Sequence, residues 1–573
     1  MKTAVLRYSS FIAHHSSFFI HHFFLMTGRI PQHISGETFD VVIIGAGVNG
    51  CGVARDASMR GLRVLLLDKG DISSGTTAAS TRLIHGGLRY LEHGEVGLVR
   101  ESLRERETLL RRVAPHLVRP LAMLVPIYSA RRRGTLTIRA GMLAYDALSS
   151  SKSLPRHRML DAPEALAHAP GIEASGLKGA ALFYDAQVEY AERLALENAL
   201  AARVCGATVL TYARVEQLLF AGDAVRGVEF TDLLGGAKHE AHASVVLNAA
   251  GPWVDEVLDG LGATGERLVG GTKGSHIVVR PFDGAPGVAV YAEAIEDGRP
   301  FFVVPWDGKF LIGTTDERYA GDLDHVEADA LEIDYLIRET NRAFPSARLT
   351  TTDVLYTYSG VRPLAYGGTG SDEASVTRRH FIRRARLLRG LFSIVGGKLT
   401  TYRALAEEMV DLLFRTLGKT PPPCTTAAEP LPGAAVKDFE AVRRDFITRS
   451  PLPPLSTARL LKVYGARALE VLRLALTDPE LSQPISDETG TIGAEIVYAF
   501  REEIAETLAD CLMRRTMTGL NGRMGLDAVE RAAHVAQKFL GWDDERALLE
   551  VESYRAYVER FTPKRKPLRK NEG

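Results

Sequence analysis

No stretch of the sequence holds about 18 consecutive apolar residues, the length a helix needs to cross a bilayer, so no integral span is expected, while peripheral attachment stays open. The four cysteines, Cys51, Cys205, Cys424 and Cys511, are widely spaced and form no CxxC pair. That removes zinc ribbons and disulfide frameworks and favours a reducing compartment. A charge excess is missing too: 70 basic residues cancel 70 acidic ones. A global commitment to nucleic acid is therefore not expected, and any anion site has to be local. Nor is there an internal repeat at solenoid periods.

What remains is ordinary globular material, 46% apolar and 24% charged over 573 residues, enough for two or three domains with substantial cores. Residues 1–38 stand apart, because FIAHHSSFFIHHFF has neither the clean apolar centre nor the small-residue cleavage site of a secretory signal. His14, His15, His21 and His22 suggest a metal tract. The plainer expectation is a disordered extension unrelated to the fold, with Met26 as the true start.

FDVVIIGAGVNGCGVARDASMRGLRVLLLDKGD, from Phe39, reads as a buried strand, a glycine turn, a helix closing near Gly61 and a second buried strand, Leu62 to Leu67, that ends on Asp68. Gly45, Gly47 and Gly50 form G-x-G-x-x-G, which provides a tight turn, close approach of a pyrophosphate and close helix–sheet packing. The pyrophosphate would meet free N–H groups at the helix N-terminus. Asp68 follows the last glycine by 68 − 50 = 18 positions, where a ribose hydroxyl partner belongs. NAD and FAD share this fingerprint, so the fingerprint alone leaves both open.

Helical patterns (Val96 to Val113, Glu189 to Val204, Ile333 to Ala343) then alternate with strand-like runs at Thr208 to Leu210, Ser244 to Leu247, His276 to Val279, Phe301 to Val304 and Phe310 to Ile312. The interleaving predicts an α/β domain that accommodates a second, sheet-rich domain. GKTPPPCTTAAEPLPGA, residues 418–434, reads as a semi-rigid linker. Beyond it, AEIVYAFREEIAETLADCLMRR and DAVERAAHVAQKFL predict a helical C-terminal domain, and KRKPLRK closes the chain as a basic tail.

Two further segments, SVVLNAAGPWVDEV and SIVGGKLTTYRALAEEMV, each run from a strand through small residues into a helix, and the second can aim its helix N-terminus at a flavin. Together GAGVNGCGVARDASMRGL, TTAASTRLIHGGLRYLEHGE, VLNAAGPWV, KGSHIVV, FFVVPWDGKFLIGTTDERY, YTYSGVRPL, IVGGKLTTYRALAEE and LADCLMRRT resemble, in order, the FAD-dependent, quinone-linked glycerol-3-phosphate dehydrogenases. The resemblance implies an interrupted Rossmann-type FAD-binding domain with an inserted substrate domain over 39–423, and a helical C-terminal domain over 424–573. It implies oxidation of glycerol 3-phosphate with FAD, electrons passing to a membrane quinone, and a peripheral position on the cytoplasmic face of the inner membrane. A homo-oligomer is compatible with it.

The same resemblance implies cofactor contacts from Gly45, Gly47, Asn49, Gly50, Asp68, Thr77, Ser80, His85, Gly86, Gly87 and Val215, and from Ala249, Gly251, Gly397, Lys398, Leu399 and Thr400. Arg89, Tyr90, Thr314, Thr315 and Arg378 are expected at the substrate, with Arg362 supplying a forked donor for phosphate. His276 is the expected base, on the ground that an imidazole titrates near neutral pH, and Lys398 is expected to stabilise charge. Arg379, following Arg378, departs from the family pattern. In LIHGGLRYLEHGE, His85 and His93 lack ligand partners at metal spacing, so the stretch reads as half of an anion pocket in which Gly86 and Gly87 let backbone approach the flavin. The rival functions are an oxygen-using oxidase of the same substrate, an amino-acid or amine oxidase on the same fold, and a non-catalytic flavin-binding adaptor.

Overall fold

A computed structural model describes residues 29–31, 34, 36–91, 94–129, 134–149, 153–263, 267–367 and 379–565. The first 28 residues and 566–573 of the basic tail therefore lie outside the described residues.

Three separate passes of the chain build a five-stranded parallel sheet in the order Leu391–Val395, Lys238–Asn248, Thr38–Ile44, Val64–Leu67, Thr208–Leu210. All but one residue of these strands from Val41 to Leu67 are fully buried, as expected of a parallel sheet covered on both faces. An antiparallel hairpin, Ala213–Ala221 with Ala224–Asp232, and an edge strand, Phe381–Arg384, extend the sheet. Helices Val48–Met59, Ala191–Val204 and Tyr402–Thr416 pack on it around Leu66, Leu196 and Met409. Gly52 makes the close approach possible, since a Cβ there would stand 2.8 Å from the Tyr402 ring.

The chain leaves this sheet twice, and both excursions feed a second sheet of ten strands drawn from residues 83–188 and 272–362. The expected insertion is thus a double one. The expected strands fall inside Thr208–Leu210, Lys238–Asn248, Thr272–Val279, Pro300–Trp306 and Lys309–Gly313. The expected helix from Val96 is regular only to Thr108 and then widens into a π turn over Leu109–Val113.

Two expectations about the C-terminal part need correction. Residues 418–434, expected as a semi-rigid linker, are bound along their length: Arg55 and Arg60 donate to the carbonyls of Glu429 and Pro422, Gly433 N donates to Glu197, and Leu431 is fully buried. The segment is laid along the nucleotide domain. The helix expected through AEIVYAFREEIAETLADCLMRR ends at Glu502, because Ile504 adopts a left-handed backbone (φ 58°) and Glu503 turns inward. A short turn from Leu508 and a π turn over Cys511–Arg515 follow.

That inward turn serves a buried ion-pair network. Glu503 accepts from Arg193 at 2.6 and 2.9 Å, both side chains fully buried. Asp71, three residues past Asp68, accepts from Arg515 at 2.6 and 2.9 Å and from Arg514 at 2.5 Å. Burial pushes the Asp71 carboxyl up, but the two guanidinium groups outweigh it and hold it below the usual carboxylate range. The helical domain also shares one continuous core with the second sheet, in which Trp306 and Tyr356 lie with Leu460, Tyr464 and Leu512. It is therefore bonded to both sheet domains.

Candidate active site

The nucleotide cradle lies at the carboxyl ends of Thr38–Ile44 and Val64–Leu67. Gly45 has φ 107°, and a Cβ there would sit 2.7 Å from Ala249 O. A Cβ on Gly50 would come within 1.9 Å of Gly45 O, so helix and turn meet only because both residues are glycine. Gly47 caps the helix in an extended conformation with no side-chain cap, and a Cβ on it would meet nothing nearer than Thr77 Oγ1 at 3.5 Å. Open space thus faces the N-terminal end of the helix, where an anion is favoured.

Asp68 accepts from Ala46 N at 2.5 Å and Gly70 N at 2.8 Å. Burial pushes its carboxyl up while these two N–H groups pull it back. Thr77 Oγ1 accepts from Val48 N, Ala249 N donates to Ile44 O, and Gly251 opens a short turn at φ 59°. Val215 lies farther out, half-buried in a cluster with Leu67, on the hairpin whose Ala213 N donates to Asp68 O. Asn49 donates to Gly396 O at 3.3 Å, tying the cradle to the Gly396–Thr400 turn. Asn49 Oδ1 and Ser73 Oγ are buried without hydrogen-bond partners among the described residues. A polar group bound in the cradle would offer them partners.

A cavity of about 830 Å³ lies between the two sheets. Ser80, His85, Gly87 and Tyr90 reach it from one side, and Gly397, Lys398, Leu399 and Thr400 from another. His276, Thr314, Thr315 and Arg362 line it from the second sheet. Residues scattered over more than 300 positions of sequence therefore share one chamber, whose size suits a cofactor end plus a small substrate. Arg378 lies outside the described residues; Arg89 belongs to the Leu88–Leu91 turn, and the structure does not describe its side chain. His93 is likewise outside.

Arg362 ends the strand Val354–Arg362, and its guanidinium is locked in place. It donates to Asp316 at 2.8 Å, to Thr314 Oγ1 at 2.9 Å and to Thr315 O at 3.2 Å. Room for it comes from Gly274 on the adjacent strand, where a Cβ would be 2.3 Å from Arg362 Nη2. Lys398 holds its ammonium 3.6 Å from the centre of the Tyr90 ring, close enough for a cation–π contact. The backbone of His85 is pinned to Thr400 Oγ1 at 3.1 Å.

His276 departs from expectation. Its ring is stacked on Tyr358 (4.9 Å between centres), and Nε2 shares a 2.9 Å hydrogen bond with Thr81 Oγ1. Burial, then the positive charges of Arg362 and Arg82, pushes its pKa down to about 3. The imidazole is neutral throughout the physiological range and does not titrate near neutrality. Gly86 has a second role in packing. A Cβ there would collide with Tyr145 Oη (2.4 Å) and Leu103, so its smallness also admits these protein side chains. Gly87, at φ 77°, is shaped by the Tyr90 ring in the same way.

Several residues of the site were not anticipated. Arg82 is fully buried in a fork to Glu192 (2.7 Å twice) and lies over the Trp306 ring. Asp185 accepts from Arg106 at 2.6 Å and from Tyr145 Oη at 2.8 Å, while Gly86 N donates to Tyr145 Oη at 2.9 Å. Arg82 and Asp316 stand inside quoted motifs, TRLIHGG and GTTDE, and the available signal was a charged residue in an otherwise buried strand or turn. Tyr145 and Arg106 carry no local signal, being brought in by distant helices.

Residues 40–412 match the FAD dependent oxidoreductase family, and residues 424–547 match the C-terminal domain of alpha-glycerophosphate oxidase. The chain is 45% identical over 540 residues to a glycerol-3-phosphate dehydrogenase of Synechocystis, covering 92% of this chain and 97% of that one. The chain belongs to the FAD-dependent glycerol-3-phosphate dehydrogenase family. A solved glycerol-3-phosphate dehydrogenase from Bacillus halodurans, complexed with FAD, superposes with a TM-score of 0.75 at 28% identity and covers 94% of this chain and 98% of its own. L-alpha-glycerophosphate oxidase from Mycoplasma pneumoniae, with FAD bound, has the same fold at a TM-score of 0.54 and 20% identity, covering 69% of this chain and 99% of its own.

As a member of this family the protein is an FAD-dependent oxidoreductase with an α/β fold and a helical C-terminal domain. The open space before Gly47 and the orphaned oxygens of Asn49 and Ser73 fit that cofactor.

Proposed function

We propose that the protein oxidises sn-glycerol 3-phosphate to dihydroxyacetone phosphate and passes the electrons to a membrane quinone. The observation that carries this reading is Arg362, a guanidinium fixed by Asp316 and Thr314 on the wall of the chamber that His276 and Lys398 share. FAD, when bound, would supply the hydride acceptor for C2 of the substrate and the route by which electrons leave. The Gly45–Gly50 turn would hold its pyrophosphate, Asp68 its ribose, and Gly397–Thr400 its flavin end.

The rest is done by side chains of this chain. Arg362, with Tyr90, Thr314 and Thr315 and with Arg89 and Arg378 nearby in sequence, holds the phosphate through charged hydrogen bonds. A bound dianion offsets the Arg362 charge that depresses His276, so substrate binding itself makes the imidazole a better base for the C2 hydroxyl proton. Lys398 stabilises the negative charge that develops as that proton leaves. A quinone acceptor implies a peripheral position, on the cytoplasmic face of the inner membrane; no helix among the described residues is long and apolar enough to cross a bilayer.

The test is an anaerobic flavin spectrum. Glycerol 3-phosphate should bleach the purified holoenzyme, and an amino acid should not. Bound FAD that stays oxidised with glycerol 3-phosphate would refute the substrate. Peroxide formed in step with substrate consumption would replace the dehydrogenase by an oxidase.

A further inference from the structure

His276 lines the chamber, yet only 2% of the residue is exposed. Its ring is stacked on Tyr358, and Gly313 on the neighbouring strand lies so near that a Cβ there would stand 2.6 Å from it. Nδ1 is buried with no hydrogen-bond partner among the described residues. The other nitrogen, Nε2, meets Thr81 Oγ1 at 2.9 Å. Thr81 lines the same chamber and is only half-buried, so a small molecule there has easier access to its hydroxyl than to the imidazole.

That hydroxyl is held from both sides along the chain. Ser80 O accepts from Tyr358 Oη at 3.0 Å, which ties the residue before Thr81 to the ring stacked on His276. Arg82, the residue after it, is gripped twice by Glu192 at 2.7 Å, and its carbonyl accepts from Val188 N. Thr76 and Thr400, also on the chamber wall, donate their hydroxyl protons to the backbone carbonyls of Val361 and His85. Thr81 faces instead a nitrogen that can take up a proton. Lys398 and Arg362, the cations of the chamber, have no lone pair with which to accept one.

We infer that Thr81 is a further catalytic residue, the relay through which the C2 hydroxyl of the substrate loses its proton to His276. The inference rests on the proposed oxidation of glycerol 3-phosphate. A hydroxyl suits the task because it can accept and donate at once. As the hydride leaves C2 for the flavin, the C2 hydroxyl proton passes to Thr81 Oγ1 and the Thr81 proton passes to His276 Nε2. The C2–O bond becomes a carbonyl, Thr81 is again a neutral hydroxyl, and the imidazole carries the proton. The relay requires Nε2 to be the unprotonated nitrogen of the resting ring, with the hydrogen on Nδ1.

Thr81→Val keeps the shape and removes the hydroxyl, Thr81→Ser keeps the hydroxyl, and Thr81→Ala leaves room for a bridging water. In anaerobic stopped flow with glycerol 3-phosphate, the saturated bleaching rate of Thr81→Val should fall about a hundredfold, the lower end of what a positioned proton transfer contributes. The substrate concentration at half-saturation should stay nearly unchanged, and dithionite should reduce all the holoenzymes alike. Thr81→Ser should bleach like the parent, and Thr81→Ala faster than Thr81→Val. A threonine needed only for packing predicts the opposite order, because valine leaves no cavity. In 15N spectra of histidine-labelled protein, His276 is assigned by its loss in His276→Asn, and its Nε2 should resonate as a lone-pair nitrogen. A protonated Nε2, a Thr81→Val rate like the parent's, or valine faster than alanine would overturn the relay. The spectra need no substrate, so a failed relay and a wrong substrate are told apart.

Discussion

Arg515→Met tests the clamp between the helical domain and the nucleotide loop. The substitution removes two hydrogen bonds to Asp71 and leaves the carbonyls of Glu503 and Ile504 without this donor. Asp71 keeps Arg514, so its carboxylate stays buried with half of its compensation. Breaking a buried pair from one side costs about 3–5 kcal/mol, and the remaining arginine puts the expected loss near the lower end. Against a total stability of about 5–15 kcal/mol that is a large fraction. The loss should also depend on pH. The folded pKa of Asp71 lies below its unfolded value, so its contribution is complete above the unfolded value and disappears as pH falls through the folded one. Losing Arg515 raises the folded value and weakens that contribution at every pH above it. Thermal unfolding and flavin-fluorescence release, followed side by side, should both shift down by several degrees, with flavin release leading because Asp71 lies between Asp68 and Ser73 of the cradle. Asp71→Asn combined with Arg515→Met should recover part of the loss, since no bare carboxylate is left. A single variant that melts and releases flavin like the parent, or a double variant as damaged as the sum of its parts, would refute the reasoning.

Arg362→Ala should raise KM for glycerol 3-phosphate roughly ten- to a hundredfold, the loss of a charged hydrogen bond of about 1.5–3 kcal/mol, as initial rates will reveal. His276→Asn should slow substrate-driven flavin bleaching far more than it weakens substrate binding, read from the saturation curve of the bleaching rate. Because His276 in the free enzyme is pushed down to about 3, the kcat/KM profile should carry no step from it between about pH 5 and 8. In stability the sign is the opposite of a salt-bridged histidine: protons bind the unfolded imidazole first, so folding weakens as pH falls below the ordinary histidine value and continues to weaken toward about 3. Gly50→Ala should abolish FAD retention, measured as the flavin-to-protein absorbance ratio, since the new methyl would lie 1.9 Å from Gly45 O.

The parts of this protein that were legible in sequence are those built from adjacent residues. Gly45, Gly47, Gly50 and Asp68 announce the cradle because turn, helix cap and strand end are local events whose residue types are dictated by backbone geometry. Family resemblance adds Arg362 and Lys398, which the fold brings to one cavity. Electrostatic state was not legible. His276 looked like a neutral-pH base, yet its pKa is set by burial and by Arg82 and Arg362, none of which adjoin it in sequence. The packing around Gly86 was not legible either, since its N–H donates to Tyr145, 59 positions away. Residues 418–434 read as a semi-rigid linker because proline content reports local stiffness and says nothing of Arg55 and Arg60, which bind them.

The double return of the chain to one parallel sheet has a consequence for synthesis. The strand that completes the sheet, Leu391–Val395, and the arginines that grip Asp71 are made long after the glycine turn at Gly45. No amino-terminal fragment contains a finished cradle, so a nascent chain on the ribosome has nothing to offer the cofactor until nearly all of it has emerged. Flavin uptake is therefore a late event in biogenesis, and a stalled or truncated product of this gene would be colourless.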